Sequence, residues 1–198
     1  MSSPEAGLGK GPGWRYIAAV RRFNLEELAL LQRCQQRSEG LVAHSFRIPA
    51  LPSNQYPYEV ATLRELGEAE RADAAFAHLV VYERRRAKGD ERLYRICLQD
   101  EAILARLSDG GPSWLGALLV YVLTHELVHV VRFQRAEEAF SVEGDARERE
   151  EDLVHRLTLE ILAGAREPEW QRLSELYGNP VIPALRLSDP PPSQRPLV

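Results

Sequence analysis

The chain reads as an α+β protein in which a small antiparallel sheet packs on one very apolar helix and a charged helix follows. Three observations predict this. Residues 76–86 (FAHLVVYERRR) and 92–98 (RLYRICL) are rich in strand formers, and a turn tipped by Lys88-Gly89-Asp90 lies between them, so they read as a hairpin. Residues 113–136 are apolar on nearly every side through Val122, the pattern of a buried helix. Residues 145–163 place Leu153, Val154, Leu157 and Ile161 on one face of a helix and charged residues on the rest.

Residues 1–13 are rich in Gly, Ser and Pro and are expected to be disordered; one domain is expected over 14–188. Residues 15–38 read as a helix whose clearest start is Asn24, an N-cap residue followed by Leu25, Glu26 and Glu27; Leu25, Leu28, Ala29 and Leu31 follow helical spacing. Residues 41–58 contain Pro49, Pro52 and Pro57 and read as loop, with an extended start over 41–48. The Ala-, Glu-, Leu- and Arg-rich residues 59–75 read as helix. After the hairpin, residues 100–107 form a short helix or a further extended piece. Gly110-Gly111-Pro112 breaks the chain, and Ser113 can cap the apolar helix. A last short helix is expected over 167–177. The Pro-rich residues 189–198 form a flexible tail. Trp14, Trp114 and Trp170 read as core or half-buried anchors.

Composition narrows the function classes. With 198 residues and 44% hydrophobic content the chain can bury one sizeable core. Its net charge of −4 lacks the basic excess of a nucleic-acid binder. Two cysteines, Cys34 and Cys97, are too few for a disulfide scaffold and favour a reducing compartment. The first residues carry no charged segment leading into an apolar run, and the apolar stretch 114–123 meets His125 and Glu126 within two residues. The expectation is therefore a cytoplasmic chain with no membrane partner.

The segment HELVH, residues 125–129, carries the chemistry. His125 and His129 stand four apart on the predicted helix, so both imidazoles project from one face and can converge on one metal ion. Glu126 lies about 100° around the helix. It can flank that metal and take a proton from water without being a ligand, in the H-E-x-x-H order. The plain alternative is a pair of structural histidines in a core helix, each of which would need its own partners. His44 and His78 lie far from the motif and read as structural or surface residues.

HELVH resembles the active-site segment of the zincin metallopeptidases. The metzincin form would require a Gly and a third His soon after the motif, and residues 130–140 (VVRFQRAEEAF) hold neither. The gluzincin form places a glutamate on a second helix, and DAREREEDLVHRLTLEIL (145–162) offers Glu148, Glu150 and Glu151. Glu148 with Asp152 has the E-x-x-x-D spacing of thermolysin-like enzymes, but Glu148 points away from the apolar face. Glu150 points into its centre. Glu151 lies at its edge, and Val154, His155 and Thr158 loosely match the E-x-x-A-D-x-x-A pattern of small gluzincins, with His155 in the place of the Asp. The resemblance, to minimal gluzincins and small bacterial metallopeptidases, spans residues 76–163. It implies a zinc ion (Zn2+) held by His125, His129 and Glu151, with Glu148 or Glu150 as alternatives. His155 would stand behind a ligand histidine or be a ligand itself. Glu126 would be the general base in hydrolysis of a peptide or protein substrate, and residues 92–98 an edge strand that binds substrate backbone. Two rivals stand beside it. The Glu126-x-x-His129 half suits a di-iron site in a helix bundle. A degenerate zincin could also act as a binding module through its cleft or the basic hairpin end at Glu83-Arg84-Arg85-Arg86.

Overall fold

The computed structural model describes residues 21–72, 75–84, 91–106, 112–135 and 144–165. The expected disorder at 1–13, the turn at 87–90, the helix at 167–177, the tail at 189–198, Trp14 and Trp170 lie outside the described residues. The element order is α1 (Leu25–Phe46), β1 (Tyr58–Ala61), β2 (Ala77–Arg84), β3 (Glu91–Leu98), α2 (Asp100–Ala105), α3 (Pro112–Gln134) and α4 (Asp145–Gly164). The fold is α+β, with a mixed three-stranded sheet of order β1-β3-β2.

Helix α1 begins after Asn24, the plausible cap, so residues 21–24, expected to be helical within 15–38, are not. The Asn24 side chain accepts from the Glu27 amide, and the Glu27 carboxylate accepts from the Asn24 amide, so two of the orphan amides of the first turn are satisfied. Its end differs from expectation. The helix continues through the stretch expected to be extended and stops at Arg47, in the left-handed region at φ 53°. At Ser38, where the expected helix ends, the hydroxyl donates to the carbonyl of Val120 on α3 at 3.2 Å, so a polar residue fits the buried face. That face is Leu31, Cys34, Ser38 and Val42, and Leu25, expected to belong to the apolar stripe, is exposed.

Residues 59–75 depart furthest from the sequence reading. They form no α-helix: β1 is followed by a turn at 63–65 and a 3₁₀ turn at Glu68–Glu70, with residues 73–74 outside the described set. Tertiary contacts override the helical composition. Strand β1 pairs parallel with β3, with Tyr58 opposite Tyr94 and Ala61 opposite Cys97. Beyond it, Glu65 accepts from the Thr62 amide and Asp100 Oδ1 accepts from the Leu63 amide. These bonds take up amides that a helix would have used.

The predicted hairpin is present as β2 and β3, antiparallel from Ala77 opposite Leu98 to Arg84 opposite Glu91. Because β1 adds in parallel on the other side, the sheet is mixed rather than antiparallel. The strand expected to be an edge, 92–98, is the central one, and the edges are β1 and β2. Alternation along β3 sends Tyr94, Ile96 and Leu98 into the main core and Cys97 to the opposite face, where Ala61, Leu63, Leu66 and Val80 enclose it.

Residues 100–105 are the short helix α2. Helix α3 starts with Pro112, a residue preorganised for the first helical position, so Ser113 lies inside the helix rather than capping it. Trp114 is half-buried against the core. By length and composition α3 could cross a membrane, but most of it is buried against α1, the sheet and α4. Helix α4 returns along α3 and buries Glu150, Val154, Thr158, Ile161 and Leu162. Leu153 and Leu157 are only partly buried, so the buried stripe is rotated from the expected one, towards Thr158 and Leu162.

Candidate metal centre

Helices α3 and α4 meet along a polar seam inside apolar surroundings. His125 and His129 are 1% and 0% exposed, and their Nε2 atoms face each other at 3.2 Å. Across the seam Glu151 places Oε2 3.4 Å from His125 Nε2 and Oε1 3.4 Å from His129 Nε2. Among the described residues, these three side chains form the group of His, Cys, Asp or Glu able to hold a metal ion, with one donor atom from each lying within 4.8 Å of the others.

The spacing suits one small divalent cation. Tetrahedral zinc with bonds of about 2.0–2.1 Å separates its ligand atoms by about 3.3–3.4 Å. The two Nε2 atoms, 3.2 Å apart, are close to such an edge, and each has a different oxygen of Glu151 at 3.4 Å. The donor set fits as well. Burial alone would raise the Glu151 carboxyl, but hydrogen bonds with His125 and His129 reverse this and hold it well below the usual carboxylate range, so it is anionic. Burial lowers His125, which keeps a lone pair available. Burial also works against a charged His129, but its bond to Glu151 and the nearby carboxylates outweigh burial and raise it. Two imidazoles and a carboxylate are a donor set suited to a divalent cation.

Glu126, on the next residue of α3, is 3% exposed, and its Oε2 has no hydrogen-bond partner among the described residues. Burial pushes its carboxyl up to about 7, against the pull of His129. A carboxyl of this kind can both accept and release a proton near neutral pH.

The three candidate glutamates on α4 have separate fates. Glu151 faces the two histidines. Glu148 is exposed on the far side of the helix. Glu150 is buried, and its carboxylate accepts two hydrogen bonds from the Arg132 guanidinium at 2.7 and 2.8 Å, a bidentate cross-helix pair. Its Oε1 lies 3.9 Å from His129 Nδ1, beyond hydrogen-bond reach. His155 does not join the donor group: its Nδ1 is hydrogen-bonded to the Tyr121 hydroxyl at 2.6 Å. His44 is exposed, while His78 is buried on β2.

Sequence reasoning did not single out Arg132 or Tyr121. Both had a signal in their spacing from the motif, Tyr121 one turn before His125 and Arg132 three residues after His129. Each then meets a residue on α4, and those partners follow only from the antiparallel docking of the helices.

Fold and site together define an α+β protein with a buried two-histidine, one-glutamate group able to hold a metal ion, flanked by an unpartnered carboxylate oxygen. Comparison of the chain with family models, with curated proteins and with solved structures finds no match.

Proposed function

We propose that this protein is a zinc-dependent metallopeptidase of the zincin type, resembling the minimal gluzincins, which acts in the cytoplasm on a peptide or protein. The observation that carries the reading is the cluster of His125, His129 and Glu151, with donor atoms within 4.8 Å of one another, and the buried Glu126 on the helix of the two histidines. His125, His129 and Glu151 would hold the metal. When bound, zinc supplies an acidified water and polarises a carbonyl. Glu126 then has two tasks. Its carboxylate takes the proton of the attacking water, and the same carboxyl returns a proton to the amide nitrogen as it leaves. Arg132 and Glu150 lock α3 to α4 behind His129 and keep the two ligand-bearing helices in register.

A di-iron reading is less well supported. Glu150, the further buried carboxylate on α4, is engaged by Arg132.

The test is metal content and turnover on the full chain. Elemental analysis should find one zinc per chain in the wild type and none in His129→Ala. Glu126→Gln should retain the zinc and cleave a peptide library about 10²–10⁴-fold more slowly. Two iron atoms per chain after anaerobic purification would overturn the reading. Equal cleavage by wild type and Glu126→Gln would remove Glu126 from the chemistry.

A further inference from the structure

Helix α3 carries aromatic rings at four successive i, i+4 positions: Tyr121, His125, His129 and Phe133. They form one column along the seam. The Tyr121 and His125 centroids are 6.3 Å apart with the rings inclined by 27°. His129 and Phe133 are 5.3 Å apart at 23°. Between these two stacked pairs the imidazoles meet edge-to-face, 4.9 Å apart. The outer rings are themselves fixed. Tyr121 is 1% exposed with its hydroxyl bonded to His155, and Phe133 is 2% exposed in the main core.

A ligand histidine is ordinarily aimed by a hydrogen bond from its second ring nitrogen to a carboxylate or carbonyl. Here Nδ1 of His125 and Nδ1 of His129 are both buried, and neither has a hydrogen-bond partner among the described residues. Among the described residues, the Glu150 carboxylate comes to 3.9 Å of His129 Nδ1, beyond a hydrogen bond. On the Nε2 side Glu151 faces both rings, and on the Nδ1 side what remains to fix each ring torsion is packing against its neighbours.

We infer that Tyr121 and Phe133 are positioning residues that aim His125 and His129 at the metal by ring stacking, in place of the usual hydrogen bond to the second nitrogen. The inference rests on the metal-binding reading above. An offset-stacked ring on the outer side of each imidazole, at 6.3 and 5.3 Å between centroids, restricts rotation about its Cβ–Cγ bond. The two Nε2 atoms therefore stay turned towards Glu151 before a metal arrives. The ring of Tyr121, not its hydroxyl, does this, and the hydroxyl separately ties α3 to His155 on α4.

The experiment measures zinc affinity of the full-length protein by competition with a chromophoric chelator, and the visible absorption of the cobalt(II)-substituted protein. Phe133→Leu and Tyr121→Leu keep an apolar side chain and remove the ring. Each should weaken zinc about 10–100-fold, the usual cost of losing a ligand-orienting partner, and should shift or broaden the cobalt bands. Tyr121→Phe restores the ring without the hydroxyl and should bind within about threefold of wild type with an unchanged cobalt spectrum. Val131→Ala, a core change on α3 outside the column, controls for general loosening and should bind zinc like wild type. Wild-type affinity and spectrum in both leucine variants, with zinc binding intact in the wild type, would overturn this inference alone. So would an equal loss in Val131→Ala, or a loss in Tyr121→Phe as large as in Tyr121→Leu. Absence of metal from the wild type would overturn the metal reading and this inference together.

Discussion

Two buried acids sit in this protein under opposite conditions, Asp100 at the start of α2 and Glu126 in the middle of α3. Asp100 is 0% exposed and both its oxygens are used: Oδ2 accepts from the Phe23 amide and Oδ1 from the Leu63 amide, each at 3.0 Å. It thereby joins the entry of α1, the turn after β1 and the end of β3. Glu126 is almost as deeply buried, yet Oε2 has no partner among the described residues, and the same holds for Nδ1 of His125 and of His129. Burying a polar group is costly unless it is hydrogen-bonded. Where the chain supplies the partners, the acid is part of the scaffold. Where it leaves several buried polar atoms unpaired side by side, the site is arranged for something other than stability. Glu70 falls on the scaffold side, accepting from the Tyr82 hydroxyl at 2.5 Å and the Gly67 amide at 2.8 Å.

The contrast can be broken by mutation. The largest stability effect should come from Asp100→Ala, which strands two buried amides. A loss of roughly 3–5 kcal/mol in chemical denaturation is expected, while zinc bound per folded chain stays as in wild type. A stability change under about 1 kcal/mol would show that water replaces the carboxylate and that Asp100 is not a scaffold acid. The reverse pattern is expected at the seam. Glu151→Ala should cut zinc affinity by more than tenfold, and Glu148→Ala, on the exposed side of α4, should leave it unchanged. Loss in Glu148→Ala with wild-type affinity in Glu151→Ala would place the metal elsewhere on α4. The smallest effect sharpens the comparison most. Glu126→Gln removes a buried charge that lacks a full set of partners, so thermal stability measured in chelator should stay level or rise. A gain of about 1 kcal/mol corresponds to roughly 2–4 °C at this chain length. A fall of several degrees would put Glu126 with Asp100 among the scaffold acids.

Much of the fold was legible because local signals and tertiary contacts agreed. Asn24 with Glu27 marked the start of α1, the β2–β3 hairpin followed from strand formers flanking a turn, and the apolar run of α3 announced a buried helix. Residues 59–75 were misread as helix because helix-forming composition competes weakly with a parallel partner strand and with amides claimed by Glu65 and Asp100. Helix α1 runs past residue 38 because its buried face continues through Ser38, bonded to the Val120 carbonyl, and Val42, contacts made with the rest of the fold.

For the site, the amino-acid order alone set what one helix can set. The four-residue spacing puts His125 and His129 on one face and turns Glu126 aside, whatever surrounds them. It also narrowed the α4 partner to residues near the edge of an apolar stripe. Which glutamate meets the histidines, and what the others do, was decided only by docking of the two helices. A rotation of α4 by one residue, about 100°, would put Glu150 in the place of Glu151 and turn Glu151 away from the histidines. The register is held by contacts that are distant in sequence: Arg132 with Glu150, Tyr121 with His155, and the packing of Val154 and Ile161 in the core. These depend on side chains from two elements arriving together, and no local pattern in either helix encodes that arrival.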